Sequence, residues 1–281
     1  EASRDMTFCS TIRASLVFCL LFTLACRAGT SEALEYQVIY RGVFSAGADM
    51  PIVDLLLDAP MQGHSTGIRQ IGLTASSLNY PLVESIFPIR YRFRSWIDPS
   101  QQGQLLGFET YERTRKLRHR LYLRDESAAG MRRYDLTEGE GQHEMAQLEA
   151  GASPMTQVRG GQLLDRLGLL QRLRKQDLLE QAKYDFAVTN GRERLDYRVK
   201  VEAAQTVTVG GFVVPAWKLR FDGLERGRDG RRVAAHRPVY VWLSRTSARI
   251  PLRVDSRQPI GLFRVELKNR TALNQLAQAG S

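Results

Sequence analysis

From about residue 34 onward, apolar residues recur mostly at every second position, in roughly a dozen short segments punctuated by glycine, proline and asparagine. A period of two sends alternate side chains to opposite faces of a strand. Tyr36–Gly42, Ile52–Asp58 and Ile68–Ser76 open the series. Ile89–Asp98 alternates strictly, with Ile89, Tyr91, Phe93 and Ile97 on one face and Arg90, Arg92, Arg94 and Trp96 on the other. Leu105–Thr114 and Leu117–Arg124 read as a hairpin pair, and Met131–Leu136 as a short strand in a poorly patterned loop over 125–157. Tyr184–Thr189 and Arg192–Val201 flank Asn190-Gly191, the dipeptide that supplies the positive φ angles of a two-residue type I′ turn. Thr206–Val214, Ala216–Leu224, Arg237–Leu243, Ile250–Arg257 and Leu262–Arg270 follow, with turns at Gly210-Gly211, Arg228–Gly230 and Gln258-Pro259. Strand twist accumulates, so a sheet of this size cannot stay flat. The expected fold is mainly β: a large curled or barrel-like antiparallel sheet.

One segment breaks the period. Gln162–Leu179 places Leu163, Leu164, Leu167, Leu170 and Leu178 near one stripe, with Arg166, Arg172, Arg174 and Lys175 mostly elsewhere. That spacing predicts a single central helix. Residues 29–270 then form one β domain, and 271–281 read as a polar tail that frays. Trp96, Trp217 and Trp242 read as core aromatics.

The N-terminal segment has a different character. Met6 reads as the start, with Glu1–Asp5 as upstream residues. Arg13 precedes Ala14–Ala25, an uncharged apolar run of 12 residues. A spanning helix needs about 20 apolar residues, so residues 1–28 read as a signal peptide with upstream residues. Two processing readings stay open: cleavage after Ala28, or lipidation of Cys26 behind Thr23-Leu24-Ala25. The only cysteines, Cys9, Cys19 and Cys26, lie in this segment. A disulfide framework, a thiolate metal site and a cysteine nucleophile are therefore excluded from the body of the chain. Localisation is expected to be periplasmic or in the cell envelope.

The chain carries 40 Lys+Arg against 30 Asp+Glu, a formal +10. Removing residues 1–28 leaves 37 basic and 28 acidic residues, or +9. Of the 40 basic residues 34 are arginine, a skew that a GC-rich genome produces without functional cause. Arg90, Arg92 and Arg94, with Arg113, Arg115, Arg118 and Arg120 on following strands, could still gather into a surface for phosphate or carboxylate groups. The plainer alternative is a solvated outer face paired with Glu109 and Glu112. Arg90, Arg92, Arg94, Arg113, Arg115 and Trp96 are the candidate ligand-binding residues. No nucleic-acid motif is present, so the expected anionic partners are lipids and other envelope components, with peripheral membrane contact.

Catalytic signals are weak. Gly63-His64-Ser65-Thr66-Gly67 matches the nucleophile-elbow pattern, but no helical signal follows it and the chain lacks alternating strand–helix units. His143-Glu144 begins like a zinc-protease motif, but Gln147 stands where a second histidine is needed. His64, His119, His143 and His236 are scattered. Gly160-Gly161 lacks a following P-loop lysine and reads as loop punctuation. No catalytic residue, metal or cofactor is expected.

The linear order of motifs resembles the DUF3108 family of exported bacterial proteins of unknown function. Tyr36, Val38 and Tyr40-Arg41-Gly42 resemble its opening strand, and Phe93–Asp98 its Ser-x-x-Asp strand end. Leu164–Leu167, Leu170 and Leu173-Arg174 are similar to its central helix. Val241–Ser244, Arg249–Val254 and Gly261–Leu267 carry the C-terminal part, and the likeness spans about 34–269. The resemblance implies location and fold, and no catalytic residues. The leading expectation is an exported envelope protein without evident catalysis that binds an amphiphilic or anionic envelope component. The alternatives are a scaffold that binds envelope proteins and, more remotely, a serine hydrolase using Ser65.

Overall fold

A computed structural model describes residues 31–60, 68–98, 103–114, 117–125, 130–136, 163–191, 194–226, 232–234 and 237–279. Residues 1–28, read as a signal peptide, with Cys26, the His64-Ser65 pair, Arg115, the His143-Glu144 pair, Gly160-Gly161, Arg228–Gly230 and His236 lie outside the described residues. Residues 32–281 form a compact unit.

The first half is a strand meander: β1 (Ser31–Gly42), β2 (Met50–Pro60), β3 (Arg69–Ser76), a short helix α1 (Pro81–Ile86), β4 (Arg90–Asp98), β5 (Gln104–Arg113), β6 (Leu117–Asp125) and β7 (Gly130–Leu136). The second half runs β8 (Leu163–Leu164), α2 (Arg166–Lys175), β9 (Lys183–Thr189), β10 (Arg194–Val209), β11 (Phe212–Arg226), β12 (Arg232–Ala234), β13 (Val239–Ser244), β14 (Pro251–Gln258), β15 (Gly261–Leu267) and α3 (Arg270–Gln278). All 15 strands join one sheet. Its spatial order is β7 through β1, then β15, β14, β13, β11, β10, β9 and β8, with β12 beside β11. The N- and C-terminal strands of the domain thus pair at the centre, Val38 opposite Val265 and Tyr40 opposite Phe263. β8 runs parallel to its neighbour β9.

The expected curl is present, and the sheet stays open, with β7 and β8 as its ends. Alternation decides the concave face. Leu57, Leu73, Phe93, Leu219, Phe221, Val241 and Val254 all point inward, and helix α2 lies within the curl. Across β4, β5 and β6 the inward rings stack: Phe93 on Phe108 with centroids 5.3 Å apart, and Phe108 on Tyr122 at 4.6 Å. Gly191, in the β9–β10 connection, backs directly onto the Tyr122 ring. A Cβ there would lie 2.4 Å from a ring carbon, so this contact needs glycine for room as well as for its φ of +87°.

Several local expectations change. The Asn190-Gly191 connection is longer than a two-residue turn, since Thr189 pairs with Arg194. The Gly191 N–H is taken by the Thr189 hydroxyl at 2.9 Å. The two-residue turn lies instead at Gly210-Gly211, with φ of 56° and 85° between paired Val209 and Phe212. β10 therefore runs unbroken to Val209. A bulge between Val201 and Ala203 flips its faces, so Val207 and Val209 turn outward and join Val214, their neighbour on the outward face of β11. The segment read as a polar tail covers them. It forms α3, which buries Leu273 and Leu276 against this hairpin. Four apolar residues in nine, Ala272, Leu273, Leu276 and Ala277, made one helical face that a count of polar residues hides.

The central helix is shorter than Gln162–Leu179. Asp165 is its N-cap, accepting from the Gly168 N–H at 2.5 Å, so Leu163 and Leu164 are released to pair with β9. At the other end the Arg249 guanidinium donates to the carbonyls of Arg174 and Gln176. Cationic donors are favoured at this terminus. Of the three tryptophans Trp242 is buried, while Trp96 and Trp217 are half-buried.

Candidate functional site: an apolar cavity inside the curl

The concave face is not filled. Between α2 and the strands lies a cavity of about 610 Å³, within the usual range for small-molecule pockets. Leu55 and Leu57 on β2, Leu73 on β3, Leu167 and Leu170 on α2, and Val254 and Val265 at the sheet centre supply apolar wall. Each is an inward position of its element, so the two-residue period of the strands and one helical stripe together build the lining. Tyr36 also lines the cavity, and its hydroxyl donates to the Pro251 carbonyl at 3.0 Å. Burial raises the Tyr36 pKa far above the ordinary phenol value, so the group stays neutral.

Only three lining residues are exposed: Arg166, Arg237 and Gln258. They mark the mouth. Arg166 is the first residue of α2, and Arg237 precedes β13 across from the end of β14 that carries Gln258. Among the described residues neither arginine makes a salt bridge or a side-chain hydrogen bond. Behind Arg166, the Asp165 carboxyl is wholly buried, and burial pushes its pKa up to about 6 despite the amide hydrogen bonds it accepts. Ser95 on β4 faces the same carboxyl, although neither its hydroxyl nor Oδ2 completes a hydrogen bond of ordinary geometry.

The arginine row predicted from sequence is on the opposite face. Arg90, Arg92, Arg94 and Trp96 point outward from β4, away from the cavity. Arg113 sits opposite Arg90 on β5 and is exposed. Arg118 and Arg120 pair with Glu112 and Thr110 and so belong to the other face of the sheet. Arg90 is held by Glu84 of α1 at 2.6 Å. Arg92 and Arg94 both reach Glu109, at 3.1 and 3.6 Å, and His119 Nε2 lies 2.6 Å from the same carboxylate. Burial opposes the charge on Glu109, but the His119 hydrogen bond and the two guanidinium groups outweigh it and hold its pKa below the ordinary value. Trp96 Nε1 donates to Gln70 at 3.2 Å. Both arginines are more than a third exposed, so solvent screens these pairs. Replacing Arg92 and Arg94 together with alanine should change folding stability by less than about 1 kcal/mol, read from denaturant unfolding.

A second, smaller pocket of about 360 Å³ surrounds Asp54. Its polar groups engage one another: Asp54 accepts from Asn79, Tyr80 and Lys268 at 2.8 to 3.0 Å. It ties β2 to the β3–α1 connection and to the residue after β15, and offers little to a ligand.

The order of elements agrees with a known family. The model of a protein of unknown function, DUF3108, matches residues 68–268, well over half of the chain. The chain belongs to the DUF3108 family. That match spans β3 to β15 and so includes most of the cavity wall and all of α2. No curated protein matches this DUF3108 chain. Its fold is similar to that of a solved structure described as a beta-barrel-like protein of a domain of unknown function, DUF1849, from Brucella abortus. The TM-score is 0.52 at 10% identity, over 86% of this chain and 96% of that one. At this identity the likeness concerns the fold of the DUF3108 chain alone.

The cavity residues were partly visible in the sequence. Leu167 and Leu170 lie on the predicted stripe, and β2 and β14 overlap the strands expected at Ile52–Asp58 and Ile250–Arg257. Arg166 and Arg237 carried no signal, because a mouth exists only once distant strand ends meet.

Proposed function

We propose that this DUF3108 protein is an exported envelope protein that binds an amphiphile. The apolar part of the ligand occupies the cavity, and an anionic head meets Arg166 and Arg237 at the mouth. The observation that carries this reading is the unfilled, leucine- and valine-lined space within the curl, open beside two arginines that have no partner among the described residues. A guanidinium can take a carboxylate or phosphate in bidentate fashion. The signal pattern at residues 1–28 supports the location.

The test uses residues 29–281, which include the compact unit. Mass spectrometry of the purified protein should find retained lipid, and a fluorescent fatty acid should bind in solution. Val254→Trp fills the lining and should weaken that binding about tenfold or more. Arg166→Gln with Arg237→Gln should lower the preference for a fatty acid over the matching alcohol. Absence of both retained lipid and fatty-acid binding overturns the reading.

A further inference from the structure

The end of the molecule that carries the cavity mouth also carries the most exposed large apolar side chains among the described residues. β1 leaves the sheet into a 3-10 turn, where Val43 and Phe44 are 78% and 76% exposed. The facing β14–β15 turn adds Ile260 at 46%. The two turns are fastened together: the Ile260 carbonyl accepts from the Tyr40 hydroxyl at 2.7 Å and from the Val43 N–H at 3.4 Å. Beneath them, the Tyr40 and Phe263 rings pack at a tilt with centroids 5.1 Å apart, so the tip stands on an aromatic base. The Ile260 turn begins at Gln258, one of the three residues at the mouth. By strand direction the β3–β4 connection leaves the sheet at this end too, and exposes Leu82 and Ile86 on α1.

Charge frames the same end. Arg257 is exposed on the outward face of β14, beside the tip, and Arg166 and Arg237 stand at the mouth. Among the described residues none of the three makes a salt bridge. Arg41 there is neutralised by Asp49 at 2.6 Å. Exposed apolar side chains standing on an aromatic base and rimmed by open cations match a lipid interface: the apolar groups enter the headgroup–acyl boundary and the arginines meet anionic headgroups.

We infer that this end docks on an anionic bilayer surface, with Val43, Phe44 and Ile260 inserted and the cavity mouth facing the lipid. The inference rests on the amphiphile-binding reading and gives it a direction: the ligand enters from, or leaves to, the membrane on which the mouth rests.

The test is co-sedimentation of residues 29–281 with vesicles of phosphatidylglycerol and phosphatidylcholine in equal parts, against phosphatidylcholine alone. The wild type should sediment with the mixed vesicles and much less with the neutral ones. Val43→Asp with Phe44→Asp should lower partitioning about tenfold or more. Both side chains are solvent-exposed, so the circular dichroism and unfolding midpoint of this variant should match the wild type. Its binding of fluorescent fatty acid in solution should be unchanged, and its transfer of that fatty acid out of vesicles should slow. A wild type left in the supernatant, or a tip variant that sediments equally well, overturns the docking and leaves the cavity reading standing. Sedimentation that persists while Val254→Trp leaves fatty-acid binding untouched overturns the cavity reading instead. If the only change in the tip variant is a dimer becoming a monomer in analytical ultracentrifugation, the surface joins two copies and the inference fails.

Discussion

Replacing Arg174 with alanine should remove about 3–5 kcal/mol of folding stability, the largest loss expected from any single charged side chain here. Arg174 is 1% exposed at the C-terminal end of α2. Its Nη2 lies 2.6 Å from Glu32 at the start of β1, and its Nε donates to the Ala248 carbonyl at 3.0 Å. Three distant parts of the chain therefore meet on one guanidinium. Removing it leaves the Glu32 carboxylate uncompensated in a half-dry site and the Ala248 carbonyl without this donor. The expected loss comes chiefly from those orphaned groups. Arg174→Met combined with Glu32→Leu should consequently be less damaging than Arg174→Ala alone, since no charge is left behind. Urea unfolding of the three proteins decides it. A double variant at least as unstable as the single one would show that packing, and not charge pairing, is what Arg174 supplies.

The second large effect concerns pH. An aspartate in an unfolded chain titrates near 3.9, whereas burial raises Asp165 to about 6. Between those values the folded protein holds a proton that the unfolded chain has released. Stability due to this group is therefore fully present below about pH 4 and is lost as pH rises through about 6. The difference amounts to about 2–3 kcal/mol. Asp165→Asn removes the titration and keeps an oxygen to cap Gly168. The variant should thus be more stable than the wild type at pH 8, by an amount that shrinks toward pH 4. Taking the difference between the two proteins matters, because Glu109, Asp54 and Asp255 have lowered pKa values and impose the opposite trend on both. A stability difference that stays constant across this range refutes the assignment. The effect bears on the proposed ligand, since the cap sets where Arg166 emerges and how Leu167 and Leu170 face the cavity.

Some of this was legible from the residues. The strict alternation of Ile89–Asp98 assigned Phe93 inward and Arg92 outward, as observed. The leucine stripe around Leu167 gave one helix within a curled sheet. Other features were not legible, for identifiable reasons. The bulge between Val201 and Ala203 inverts a strand's faces without altering its composition, and it created the site for α3. Asp165 reads as an ordinary surface aspartate until the helix start is placed against β4 and loses its water. The arginines most conspicuous in sequence, on β4, face outward; the two at the mouth, Arg166 and Arg237, lie 71 residues apart and belong to different elements.

By itself the sequence determined the period of nearly every element, hence a β protein with an inward and an outward face, and the confinement of cysteine to the first 26 residues. Those are local properties, carried by neighbours along the chain. Only the tertiary structure decided that the curl stays open, that α2 leaves a cavity of about 610 Å³ beside it, and which arginines surround its mouth. Space and convergence are relations between residues far apart in the chain, and pattern along one strand cannot specify them.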